Sequence, residues 1–187
     1  MKQSELKDFL DEKTLRYIEI AGFLTATIAW GNRKSILTNA SKMMELLDNA
    51  PHDFITHASE RDLDILENFV HRTFNGSDFQ YFVKALQNIY SKHHGLEAVF
   101  TKNSTAESTQ QSIHEFKKIF FSLPHLQRTQ KHVSDPLKNS AAKRLNMFLR
   151  WMVRNDQAGV DFGIWQNIPM RALSCPLDVH SGNVARK

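Results

Sequence analysis

Three observations predict that this 187-residue chain is an all-α protein, a helical bundle. Glycine and proline are scarce, at 7 and 5, whereas a sandwich or barrel with many tight turns draws on both. Apolar residues recur at helical spacing over most of the length, and no period-2 alternation runs beyond a few residues. Cap residues stand where the periodic stretches begin and end. With 41% hydrophobic residues, 13 Phe and 3 Trp, the chain can build one packed core, as a single helical domain over residues 1–187 or as two lobes around a cleft. Charged residues at 24% with near-average apolar content exclude a disordered chain.

The elements follow in order. Residues 4–16 read as a short amphipathic helix, with Leu6, Phe9, Leu10 and Lys13 at helical spacing and Ser4 as cap. Residues 19–30 (EIAGFLTATIAW) are apolar nearly all round, so they belong in a core, and Gly31-Asn32 stops them. Residues 33–47 form the next helix, with Ile36, Leu37, Met43, Met44, Leu46 and Leu47 as its apolar set, and Pro51 opens a short turn. A helix over 59–69 is capped by Ser59, with Asp62 in its first turn. Asn75-Gly76 breaks the pattern, and Ser77 or Asp78 caps a helix running to about His93 that His94-Gly95 closes. Leu96 to Phe100 is one more helical turn. Residues 101–111 (TKNSTAESTQQ) are polar and unpatterned, the best place for a lobe boundary. Helix resumes over 112–121, residues 125–139 are irregular, and a strong helix spans 140–153. A turn region follows, then a short helix over 165–173 and a last helix opening at Asp178.

Composition also limits function. The one cysteine, Cys175, excludes an intrachain disulfide and any four-cysteine metal site; beside no positioned base, it reads as a small buried residue. The nine His are scattered: His52 and His57 do not share a helix face, and His93 and His94 point apart, so no metal site and no cofactor are expected. The N-terminus has no apolar signal core. The longest apolar-rich stretch, residues 18–30, carries Glu19 and is too short for a bilayer. The expectation is a cytoplasmic protein with no membrane partner.

The net charge of +4 is unevenly placed. Residues 126–154 hold Arg128, Lys131, Lys138, Lys143, Arg144, Arg150 and Arg154 against Asp135 alone, a net +6, so the remainder is slightly acidic. Such asymmetry marks a phosphate-binding face or a solvated basic surface. At 100° per residue, KRLNMFLRWMVR gathers Leu145, Phe148, Leu149 and Met152 on one side of a helix. Lys143, Met147, Arg150 and Arg154 gather on the other.

The run PLDVHSGNVAR resembles a segment of the helix-hairpin-helix DNA glycosylase superfamily in which the aspartate is catalytic. The KRLNMFLRWMVR helix resembles the lysine-bearing helix of the archaeal 8-oxoguanine glycosylase branch. More closely, the chain resembles an uncharacterised bacterial family distantly related to that branch, through EIAGFLTATIAWGNRKSI, FVHRTFNGSDFQYF, KHVSDPLKNSAAKRLNMFLRWMVR, GVDFGIW and PLDVHSGNVARK. The resemblance implies a glycosylase-like bundle acting on damaged, oxidised purine in DNA, with Lys143 as Schiff-base nucleophile and Asp178 as the carboxylate that stabilises the sugar. With the charge count, it makes Lys131, His132, Lys138, Ser140, Arg144, Arg150, Arg154 and His180 the expected nucleic-acid contacts. Arg144 or burial would activate Lys143, and Trp151, Phe148 or Trp165 would stack on a base or serve in the core. Asp161 either caps the 165–173 helix or sits in the cleft. Val133-Ser134-Asp135-Pro136-Leu137 stands where glycosylases carry a Gly-rich hairpin, and Lys143 and Asp178 lie farther apart than in common bacterial enzymes. Relatives carry extra residues between Tyr17 and Ile18 and a further helical region after Lys187, so the chain is expected to be incomplete. The alternatives are a non-catalytic nucleic-acid-binding module and a helical scaffold with a protein partner.

Overall fold

The computed structural model describes residues 10–156, 158–176, 182–184 and 186. The all-α expectation holds: strand is confined, among the described residues, to a hairpin of Val70–His71 (β1) and Phe74–Asn75 (β2), paired antiparallel with Val70 opposite Asn75.

The first helix, α1 (Glu12–Ile28), is one element where the pattern predicted two. Asp11 caps it by accepting from the Thr14 amide at 2.7 Å, and the helix runs unbroken through Tyr17-Ile18. The expected cap Ser4 lies outside the described residues. Ile20, Phe23, Leu24 and Ile28 are fully buried, so the apolar stretch is a core helix as expected. Asn32 caps α2 (Arg33–Leu46). Of the apolar set assigned there, Met43 and Leu47 are buried and Met44 and Leu46 pack against the core, but Leu37 is 55% exposed. The helix meets the core only toward its C-terminal end. Pro51 opens α3 (Pro51–His57), a helix of 7 residues where a short turn was expected.

The 59–69 helix does not form; residues Asp62–Leu66 make a 3-10 turn. The Asp62 carboxylate takes both the Ser59 amide and hydroxyl at 2.7 Å, and the backbone bonds that follow close over three residues, Asp64 N to Arg61 O and Glu67 N to Asp64 O. The next helix, α4 (Gly76–Lys92), is capped by Asn75, not by Ser77 or Asp78. Asn75 accepts from the Asp78 amide and Asp78 accepts from the Asn75 amide, a reciprocal capping box. Gly76 is required there, since a Cβ would stand 2.0 Å from the Glu67 carbonyl oxygen. The expected breaker is therefore a helix start.

His94 and Gly95, both at positive φ, end α4. The following α5 (Leu96–Lys102) has no side-chain cap of its own. Its second amide, Glu97 N, donates instead to the buried Glu19 carboxylate of α1 at 2.8 Å. Burial pushes the Glu19 carboxyl up, while Tyr90, Arg16 and that amide pull it back. Residues 103–109 connect to α6 (Gln110–Phe120), so the unpatterned stretch is shorter than expected. Two 3-10 turns, Gln127–His132 and Pro136–Lys138, lead into α7 (Lys143–Val153), which packs along α1.

The 165–173 helix is absent beyond a 3-10 turn at Met170–Ala172. Its amides go elsewhere. Trp165 N donates to the Met152 carbonyl at 2.8 Å, and Gln166 N and Asn167 N donate to Glu97. Pro169 has no amide to give. Asp178, and with it the opening of the last expected helix, lies outside the described residues. No helix among the described residues is long and apolar enough to cross a membrane.

Candidate active site

The site begins in the turn before α7. Asp135 is buried and accepts from the Leu137 amide at 3.0 Å; His114 Nδ1 lies 3.0 Å from both carboxylate oxygens and pins the turn to α6. Asn139 (φ 60°) and Ala142 (φ 42°) supply the left-handed conformations for which a Gly-rich hairpin would use glycine. Ser140 Oγ accepts from the Ala142 amide at 3.2 Å. Lys143 is thereby the first residue of α7.

The helix partitions as its periodicity predicts. Leu145, Phe148, Leu149 and Met152 are buried. Lys143, Met147, Arg150 and Arg154 line a cavity of about 460 Å³, and Met170, Leu173, Ser174, Cys175 and Pro176 form its opposite wall. Asn146, 7% exposed, adds to the α7 side. Its Nδ2 donates to the Ala141 carbonyl at 3.0 Å, which orients the amide, and its Oδ1 has no hydrogen-bond partner among the described residues.

Two carboxylates hold the arginines. Arg150 Nε bonds Asp161 Oδ2 at 3.1 Å and Arg154 Nε lies 3.8 Å from the same oxygen, while Arg154 Nη2 reaches Asp156 at 2.6 Å. The Asp161 side chain is fully buried, whereas the arginine side chains remain 48% and 43% exposed. Asp161 thus sits behind the cavity as an anchor, and the cap role is ruled out because no helix starts at Trp165.

A family profile described as a protein of unknown function, DUF2400, matches residues 9–187. The chain belongs to this family. No curated protein and no solved structure matches it.

In this DUF2400 member the expected contacts divide into four groups. Lys143, Arg150 and Arg154 share the cavity, and Lys131 and Lys138 are exposed on the turns before α7. Three others are committed inside the fold. His132 is buried and bonds Asp78 at 3.2 Å. Arg144 lies with its guanidinium 4.6 Å above the Trp30 ring and donates to the Thr27 carbonyl, so it faces α1, and burial lowers its pKa. Ser140 serves the turn. Asp178 and His180 lie outside the described residues. None of the expected stacking rings lines the cavity: Phe148 and Trp165 are buried, and Trp151 borders a separate apolar groove with Tyr17, Ile18 and Phe162. Cys175 is exposed, contrary to expectation, because the wall that carries it is an open segment. Sequence reasoning missed Asn146, which falls on the wheel between the apolar stripe and the cationic face. It also missed the 170–176 wall, which carries no periodic signal.

Proposed function

We propose that the protein is a base-excision DNA glycosylase with lyase activity acting on damaged, oxidised purine, and that Lys143 is its nucleophile. One observation carries the reading: Lys143 opens α7 beside a cavity of about 460 Å³ that it shares with Arg150 and Arg154, a size suited to a small organic group. A glycosylase extrudes its target nucleotide into such a cavity. The Lys143 amine attacks the sugar C1′, the glycosidic bond breaks, and the base leaves with the bonding pair and the first amine proton. The nitrogen lone pair then expels the ring oxygen, which takes a proton, and a Schiff base remains. The described wall ends at Pro176, two residues before Asp178. Asp178 is the carboxylate assigned to steady the positive sugar and relay the proton. Lys131 and Lys138 meet backbone phosphates.

Borohydride trapping tests this on duplexes bearing 8-oxoguanine or an abasic site. The expected result is a covalent adduct that disappears in Lys143→Gln. An adduct that persists in that variant, or never forms with the parent chain, overturns the assignment. Salt-sensitive duplex binding without an adduct assigns a binding module instead, a reading that exposed Lys131 and Lys138 also support.

A further inference from the structure

The outer wall of the Lys143 cavity is the far end of a strap, residues 164–176, with no regular structure except the Met170–Ala172 turn. Ile164, Trp165 and Ile168 are buried and root it in the core. Beyond Trp165 and the buried Ile168, its main polar tether is one carboxylate oxygen. Glu97 Oε1 accepts from Gln166 N at 3.1 Å, Asn167 N at 3.3 Å and Asn167 Nδ2 at 3.0 Å. Glu97 is itself tied back, since its amide and Trp165 Nε1 both donate to Glu19 Oε1, at 2.8 and 3.1 Å. Two carboxylates in series thus join α1, α5 and the strap, and the wall starts at Met170, three residues after Asn167.

We propose that Glu97, which does not line the cavity, is its positioning residue: by clamping Gln166 and Asn167 it sets the Met170–Pro176 wall opposite Lys143. Ala172 and Leu173 pack the wall against the core, and its other polar anchors are single bonds. Arg171 Nε gives one bond to the Ala106 carbonyl at 3.0 Å, and Asn155 N reaches only the Met170 sulfur at 3.5 Å. Bonds to a carboxylate are roughly twice as strong as neutral ones, and Glu97 collects three on consecutive residues. The consequence for chemistry rests on the glycosylase reading; the wall geometry does not.

The full chain offers its own reporter, because its single cysteine, Cys175, is exposed in that wall. A nitroxide attached there reads wall mobility. Glu97→Ala is expected to sharpen the spectrum and speed amide exchange at Gln166 and Asn167 about tenfold, the loss of one charged hydrogen bond. Glu97→Gln keeps a carbonyl acceptor and is expected to return most of the effect. Asn167→Asp sets a second carboxylate against Glu97 from the strap side, so it tests the clamp without altering α5 and is expected to mobilise the label likewise. An unchanged spectrum in Glu97→Ala and Asn167→Asp overturns the proposal, as does a Glu97→Gln spectrum no closer to the parent than that of Glu97→Ala. Trapping adds a functional arm: Glu97→Ala is expected to form the borohydride adduct about tenfold more slowly at unchanged duplex affinity. A mobilised wall with no adduct from the parent chain sinks the glycosylase reading and leaves the clamp standing. Adduct formation at the parent rate in Glu97→Ala overturns the positioning role.

Discussion

Asp78 is where the polar interior converges. Its carboxylate is fully buried and accepts from Arg128 Nη1 at 2.8 Å, Thr129 Oγ1 at 2.7 Å and the Asn75 amide at 3.1 Å, with His132 Nε2 at 3.2 Å. Burial alone pushes the Asp78 carboxyl up; hydrogen bonds from His132, Thr129 and the Asn75 amide outweigh it and bring it from 3.8 down to about 2. A carboxyl depressed on folding stabilises fully above its unfolded value and stops doing so as pH falls through its folded one. The contribution, about 2 kcal/mol, is therefore expected to vanish between about pH 4 and pH 2. Urea midpoints across that window check it. Asp78→Asn is expected to be about 3 kcal/mol less stable at neutral pH and flatter below pH 4, and parallel losses in both proteins would refute the role. The sequence showed Asp78 as a helix cap and Arg128 and His132 as part of a basic, polyanion-facing segment. Charge counting cannot see that their partner is a buried carboxylate some fifty residues away. Arg144 escaped for the same reason, its partner being Trp30.

The element that presents Lys143 begins on a strained residue. Ala142 is buried at φ 42°, a conformation that crowds Cβ and costs about 1–2 kcal/mol. Glycine there relieves the crowding while losing a buried methyl worth about 0.8 kcal/mol. Ala142→Gly is thus expected to fall within about 0.5 kcal/mol of the parent, whereas Ala142→Val, branched and buried, costs about 2 kcal/mol or more. Thermal melting decides, and a glycine that destabilises by well over 1 kcal/mol removes the strain argument. A helix with one buried face was legible: α7 buries Leu145, Phe148, Leu149 and Met152, which its periodicity named. Misread elements share a cause. At 59–69 the amides close three-residue backbone turns, and at 165–167 they bond to the Met152 carbonyl and the Glu97 side chain, and a pattern of apolar spacing carries no information about such acceptors. The two-residue strands are shorter than any alternation can register.

Across the whole molecule, Phe23 touches helices on both sides of the polar stretch at 101–111, the best place for a lobe boundary. Its ring centroid lies 5.8 Å from Phe82 on α4, 5.5 and 5.6 Å from Phe116 and Phe120 on α6, and 5.6 Å from Phe148 on α7. Phe100 stacks on Phe116 at 4.4 Å across the same connection. Aromatic content predicted a core, but which rings meet depends on the helix packing, and that was not legible. The cavity floor shares this contact, since α7 packs on α1 through Phe148 as well as Met152 and Arg144. Phe23→Ala is therefore expected to cost about 3–5 kcal/mol and to destabilise both halves together. Unfolding should be one transition, with tryptophan fluorescence and far-ultraviolet dichroism coincident in parent and variant alike. Trp30 stands on one side of the 103–109 connection and Trp151 and Trp165 on the other, so fluorescence reports both sides and a half that melts first would split the transition into two steps. Such a split in the parent protein would mean that the Lys143 cavity is borne by a lobe independent of α1, contrary to the packing of α7 on Phe23.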